Sequence, residues 1–257
     1  MGDGIFVIVI VWEFCAALVV ALAVIVNNHT KDATYVACNA DPGFGDLSGK
    51  TIPIDSAKQS LIVNLHNEFR NKIANGKQEF PGGFYPEAAR MATIQWDDEL
   101  AFIAATNARK CKFGHDECQN TPKYPASGQN LGSFAYTGGF YDVDEIIKNL
   151  TNGWYSEFKR ANPQFIKEFT NDYKGVNHLI NTIFLDKPSD TSLKLWLIVR
   201  TTKIYLMCNY ARTNIVTRAA YTSGKVASPC KTGTNKKFPG LCSSRESRNY
   251  SKFDVKA

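Results

Sequence analysis

Patterns that announce common chemistries are scarce in this chain. Only four of its 257 residues are histidine. No Gly-x-Ser-x-Gly elbow occurs, which removes the serine nucleophile of that strand-turn-helix type. Neither Gly-x-x-x-x-Gly-Lys nor Gly-x-Gly-x-x-Gly is present, so no phosphate-cradling glycine loop is encoded, and the short metal motif His-Glu-x-x-His is missing too. There is no Arg-Gly-Asp triplet, no internal repeat and no low-complexity tract. Lys and Arg outnumber Asp and Glu by 30 to 24, for a formal net charge of +6. These charges are scattered, without the aromatic-interleaved basic stripe of nucleic-acid binders, so no nucleic-acid partner is expected.

What is present points to export. Ile5 to Val26 is apolar except for Glu13. The uninterrupted part, Phe14 to Val26, is shorter than the roughly 20 residues a membrane span needs but suits the core of a secretory signal. Ala21-Leu-Ala23 offers a small-x-small cleavage site, so residues 1–26 read as a signal peptide, with an uncleaved anchor as the alternative. Removing them takes away Asp3 and Glu13 and no basic residue, raising the net charge from +6 to +8. The product is expected to be a basic extracellular protein with no membrane span. One of seven cysteines, Cys15, lies in that segment. The other six, Cys38, Cys111, Cys118, Cys208, Cys230 and Cys242, are an even set in an exported chain and imply a disulfide framework whose connectivity the spacing leaves open. Three Asn-x-Ser/Thr triplets, at Asn28, Asn149 and Asn249, agree with a glycoprotein.

The remaining length suits one domain with appendages, and 44% hydrophobic residues supply a sizeable core. Residues 27–55 read as an arm, turn-rich around Asp41-Pro-Gly. Leu61, Leu65, Phe69 and Ile73 recur every four residues and predict a helix that Gly76 stops. His66 on this helix reads as structural. A second helix is capped by Asp97 and shows Leu100, Ile103, Ala104 and Ala108 on one face. A third opens at Asp142-x-x-Glu145, a capping-box pattern. It carries Val143, Ile146, Ile147, Leu150 and Trp154. Glu157 lies two heptads beyond Val143, a drift of only about 40°, which predicts a carboxylate near the buried stripe. Three apolar runs follow, from His178, Leu193 and Ile204, and read as an antiparallel meander. The polar tail 215–257 has one organised feature, a loop that a Cys230–Cys242 bridge would close.

The residues with chemistry to offer are His115, Gln129, Glu157 and His178. Two imidazoles and a carboxylate can hold Zn²⁺ with water in an open position, or serve as general bases. The bland alternative is four separate polar residues hydrogen-bonded in a core. The cysteines read as half-cystines, which cannot act as thiolate nucleophiles.

Leu65-His-Asn-x-x-Arg70, Cys111-x-Phe-x-His115-Asp-x-Cys118, Gly128-Gln-Asn-Leu131, Trp154-Tyr-x-Glu157 and Tyr205-Leu-x-Cys-Asn-Tyr210 stand in an order and spacing that resembles the CAP superfamily of cysteine-rich secretory, antigen-five and pathogenesis-related proteins. The insect venom-allergen (antigen-five-like) branch resembles it most, and the tail from Cys230 to Cys242 is similar to the extension on fly members. The resemblance spans about residues 35–245. It implies an α+β fold, a three-layer α-β-α sandwich with a central antiparallel sheet stapled by disulfides, with the CAP (SCP) domain at 56–214 and an extension at 215–257. It also implies a cleft lined by His115, Gln129, Glu157 and His178 that holds a divalent metal in some members. The family segment Gly-His-Phe-Thr-Gln reads Asn177-His-Leu-Ile-Asn181 here: Asn replaces Gly, and Ile180 removes a hydroxyl. The family's pairings imply Cys38–Cys111 and Cys230–Cys242. The usual partner of Cys208 is replaced by Ser192, and that of Cys118 is absent from 27–37. Both are therefore expected as free thiols or in intermolecular bonds.

Two functions from different classes follow. The first is a secreted, non-enzymatic protein that recognises an extracellular protein or binds a small lipid ligand, with no certain cofactor. The second is a metal-dependent hydrolase or protease with a metal on His115 and His178 and Glu157 as base.

Overall fold

A computed structural model describes residues 50–109, 113–116, 119–135, 141–161, 164–170, 175–183, 192–200, 203–213 and 218–246. In chain order these form β1 (Lys50–Ile52), α1 (Ser56–Ala74), a small hairpin of β2 (Glu79–Phe80) and β3 (Gly83–Phe84), β4 (Gln95–Trp96) and α2 (Asp98–Arg109). They continue with β5 (Gly128–Ala135), α3 (Val143–Tyr155) and its 3-10 turn Ser156–Lys159, α4 (Gln164–Lys167), α5 (Asn177–Ile183), β6 (Ser192–Arg200) and β7 (Lys203–Tyr210). The proposed signal segment and nearly all of the arm lie outside the described residues.

The three long helices stand where their apolar periods place them, because each start is capped. Asp55 accepts from the Lys58 N–H at 2.9 Å, Asp97 from Glu99 and Leu100 at 3.0 and 3.2 Å, and Asp142 from Asp144 and Glu145 at 2.8 and 3.4 Å. Each satisfies N–H groups that a first turn leaves orphaned. The Asp142 box is not reciprocated: the Glu145 carboxylate goes to Lys148 at 2.6 Å instead. α1 ends at Asn75, and Gly76 takes φ +64° to leave the helix.

The sheet runs β1-β6-β7-β5, antiparallel throughout, with β4 added parallel to β6. That parallel pair departs from the wholly antiparallel expectation. So does the meander. The run from His178 forms α5, and the strand beside β7 is β5, with Gln129 opposite Asn209. Short apolar runs do not distinguish strand from buried helix by composition. Here Leu179, Ile180 and Ile183 are fully buried at helical spacing, and the Glu157 carboxylate accepts the Leu179 N–H at 2.9 Å near the start of α5. Alternation along β7 sends its residues to two helical sides. Tyr205 and Met207 pack with Leu131 and Ala108 of α2. Ile204, Leu206, Cys208 and Tyr210 pack with Ile62, Ile146, Ile147 and Trp154 of α1 and α3.

The tail does more than close a loop. Cys230–Cys242 is present as expected. Around it Tyr221, Phe238 and Leu241 enter a core with Ile73, Met91, Phe165 and Leu179, and the Cys242 N–H bonds the Met91 carbonyl at 2.7 Å. Buried Glu246 gathers the Arg90 guanidinium at 2.5 Å, the Thr232 hydroxyl at 2.7 Å and the backbone N–H groups of Lys231 and Thr232.

Cys208 is a free thiol, as the family pattern implied, but it is completely buried. An intermolecular bond through it is therefore closed off in the folded state. In the sheet register it stands opposite Leu195, three positions from Ser192, so those two positions are not cross-strand partners. Burial raises the thiol well above its ordinary pKa. It should stay unmodified by a thiol reagent at neutral pH and react only as the protein unfolds; rapid labelling of Cys208 in the native protein would contradict this. Cys38, Cys111 and Cys118 lie outside the described residues.

Candidate functional site

The four candidate residues come together as two pairs that meet at β5, the last strand of the sheet. Gln129 points from β5 toward the α2 side. Its amide is held from both ends. Oε1 accepts from the Asp116 N–H at 3.1 Å and lies 3.1 Å from His115 Nδ1. Nε2 donates to Asn209 Oδ1 at 2.8 Å and to Asp116 Oδ2 at 3.2 Å. A carboxylate here would lose both of these donations, so the amide of Gln fits the arrangement as it stands. His115 itself is exposed, and two residues earlier exposed Phe113 packs against Tyr205 with ring centroids 5.5 Å apart.

The second pair is built on α3 and α5. α3 ends at Tyr155, and Glu157 sits on the 3-10 turn that follows, buried at 6% exposure. Its burial matches the sequence expectation, though the turn delivers it rather than a continued helix. Oε1 accepts from His178 Nδ1 at 2.8 Å and Oε2 from the Leu179 N–H at 2.9 Å. Arg160 adds an ion pair to Oε1 at 3.8 Å. The His178 ring stacks over Trp154, with centroids 6.1 Å apart and planes 15° from parallel.

Hydrogen-bond logic fixes both tautomers. Amide and carboxylate oxygens only accept, so each Nδ1 carries a proton, and in the neutral ring the lone pair lies on Nε2. Gln129 and Glu157 thus orient the two rings. Each neutral ring can offer its Nε2 to a cation or a donor. Among the described residues, no group of three or more His, Cys, Asp or Glu side chains could hold a metal ion.

Asn181 and Asn130 join the pairs. Asn181 Nδ2 donates to the Gln129 carbonyl at 3.2 Å and to Asn130 Oδ1 at 3.0 Å. Asn130 Nδ2 donates to the His178 carbonyl at 3.0 Å and to the Tyr210 hydroxyl at 2.9 Å. The sequence reading missed Asn181, which docks α5 on β5 in spite of the departures around it. Asn177 needs no glycine-like backbone, since Ala227 is the one described non-glycine residue with positive φ. Ile180 is buried in the core. Asn130 was visible only as part of Gly-Gln-Asn-Leu. His66 is structural: buried, its Nδ1 donates to the Ile62 carbonyl at 2.9 Å, and its Nε2 accepts from the Tyr210 hydroxyl at 3.0 Å.

Comparison with known proteins places the chain. The family model described as CAP, the cysteine-rich secretory protein family, matches residues 63–242. Venom allergen-1 of Aedes albopictus is 38% identical over 84% of this chain and 85% of its own length. Venom allergen 5 of Dolichovespula arenaria is 33% identical over 72% and 93%. Among solved structures, that of NaASP2 with Zn2+ superposes with a TM-score of 0.63 at 22% identity, covering 74% of this chain and 96% of the other.

Proposed function

The chain belongs to the CAP family of cysteine-rich secretory proteins, in its venom-allergen branch, and from that premise we propose that it is a secreted, non-enzymatic protein that binds an extracellular protein or a small lipid ligand. The observation that carries this reading is the engagement of Glu157. In the hydrolase reading Glu157 is the base that takes a proton from water. Here each of its oxygens already accepts a hydrogen bond, one from His178 and one from the first turn of α5, so the carboxylate is held in a positioning role. A catalytic zinc also needs three protein ligands, and among the described residues no such group is found. A ligand with a polar end suits the surroundings. Among the described residues Asn209 Nδ2 and Asn181 Oδ1 are buried without a hydrogen-bond partner, each on a side chain bonded to Gln129, and exposed Phe113 adds an apolar surface two residues from His115.

The leader 1–26, the arm 27–55, the domain 56–214 and the extension 215–257 are the organisation that goes with this reading. The test is organic extraction of the purified secreted protein followed by mass spectrometry, beside a peptide-hydrolysis assay with and without Zn²⁺. A co-purifying ligand and no turnover are expected. Turnover that needs zinc and is lost in His178→Ala would sink the proposal.

The metal-dependent hydrolase is kept as the second reading because neither Nε2 has a hydrogen-bond partner among the described residues. Zn²⁺ would sit on His115 and His178, with Glu157 as the carboxylate behind His178, and would supply a Lewis acid. If zinc binds at all, Glu157→Gln should weaken it by roughly 10–100-fold, the usual effect of removing an outer partner of a ligating imidazole. Unchanged affinity by calorimetry would show that Glu157 does not orient a metal ligand.

A further inference from the structure

We propose that Asn149 carries an N-linked oligosaccharide, attached before α3 folds; this rests on the export reading. Asn149-Leu-Thr151 lies within α3, yet its two functional side chains face opposite ways. Residues two apart on a helix do not share a face. Asn149 is exposed, on the side away from Ile147 and Trp154. Thr151 is completely buried, and its hydroxyl donates to the Ile147 carbonyl at 2.7 Å. A transferase must engage the amide and the hydroxyl together, which folded α3 forbids and an extended nascent segment allows.

The folded product has room for the sugar. Gly153 stands one turn beyond Asn149 on the same exposed face, and a Cβ placed there would meet nothing within 4 Å. Its neighbours on that face, Glu145 and Asn152, are exposed and polar. The stretch is also costly as a bare helix. Asn149, Thr151, Asn152 and Gly153 are all weak helix formers, Gly by about 1 kcal/mol relative to Ala. An acceptor triplet accounts for both the Asn and the Thr, whereas packing accounts for Thr151 alone. Asn28 and Asn249 lie outside the described residues.

In the reaction, the Asn149 amide nitrogen forms a C–N bond to the anomeric carbon of an oligosaccharide carried on a lipid pyrophosphate. The sugar–phosphate C–O bond breaks with its electron pair leaving on the pyrophosphate, and the amide nitrogen gives up one proton to a base of the transferase. No redox partner is needed.

The test places a heterologous secretory leader ahead of the full chain in eukaryotic cells and collects the secreted protein. N-glycosidase treatment should convert Asn149 to Asp, read by peptide mass spectrometry. Asn149→Gln and Thr151→Ala should each lose one glycan step on a gel, and Thr151→Ser should keep it. Secreted protein with unmodified Asn149 overturns the proposal. Unglycosylated chain from bacterial cytosol, given solubilised transferase and lipid-linked oligosaccharide, should accept sugar at Asn149 when denatured and refuse it when folded; transfer to the folded chain overturns the stated order. A parallel expression from the chain's own N-terminus separates the two readings. Failure to enter the secretory pathway there defeats export alone, and the forced-entry arm still decides the site.

Discussion

Arg70→Met should lose about 3–5 kcal/mol of stability, the scale expected when buried polar partners are left unsatisfied and a buried charge site is dismantled. Arg70 is completely buried in α1. Its Nε and Nη2 donate to the Ala92 carbonyl at 3.3 and 2.9 Å, and Nη1 to the Thr182 carbonyl at 3.3 Å. The side chain therefore ties α1 both to the Ala92 segment and to α5. Ala92 is bridged to Cys242 of the tail, and Thr182 lies one turn after His178 on α5. Met fills similar volume but removes the Arg70 donors from both carbonyls. Lys keeps the charge but not the planar fork, so Arg70→Lys should recover only part of the loss. In a domain of this size the Met variant should melt on the order of 10 °C lower. Denaturant unfolding of the two variants checks it. A Met variant within about 1 kcal/mol of wild type, the worth of an ordinary hydrogen bond, would mean that other groups or water satisfy these carbonyls.

Arg70 also shows why some of the fold was legible in the sequence and some was not. α1, α2 and α3 could be read because Leu100, Ile103, Ala104 and Ala108, and likewise Ile146, Ile147 and Trp154, keep a helical period that the core enforces. The most buried side of α1, however, includes His66, Asn67 and Arg70, polar residues that no hydropathy pattern assigns to a core. Asn67 takes both the N–H and the carbonyl of Ile94, at 2.8 and 3.0 Å, as a strand neighbour would. Thus most of the motifs that carry the family resemblance are a buried hydrogen-bond network, His66–Tyr210–Asn130 among them, and only His115, Gln129, Glu157 and His178 belong to the candidate site. β5 was missed because Gln129 and Asn130 are buried through that network rather than by apolar alternation. α5 was misread because its helical start depends on a carboxylate twenty-two residues away. The tail was read as an appendage because Phe238 and Leu241 are isolated apolar residues in polar surroundings, and nothing local says that Ile73 and Met91 await them.

Acid should destabilise this protein in two separable steps. Above pH 6.5 His66 is neutral in both states and costs nothing. Burial first, with the Arg70 guanidinium adding and the Ile62 carbonyl opposing, holds its folded pKa down to about 4 from an ordinary 6.5. As pH falls through that window the unfolded chain takes a proton that the folded chain refuses, so about 3 kcal/mol of stability is lost between pH 6.5 and 4. Glu246 supplies the second step. Burial pushes its carboxyl up, but the Thr232 hydroxyl, the Lys231 N–H, Arg90 and the Thr232 N–H outweigh it and bring the pKa to about 2 from an ordinary 4.5. The stabilisation is full above 4.5 and is lost as pH falls toward 2, again about 3 kcal/mol. Together these approach the whole stability of a typical domain, about 5–15 kcal/mol, so the fold should fail between pH 4 and 2. Denaturant unfolding at a series of pH values checks both limbs. Glu246→Gln should be about 3 kcal/mol less stable than wild type at pH 7 and equal to it near pH 2. His66→Gln should flatten the limb from 6.5 to 4 and leave the lower one in place. A Glu246→Gln curve that runs parallel to wild type from pH 4.5 to 2 would show that the clamp between the tail and Arg90 is not set by the carboxylate charge.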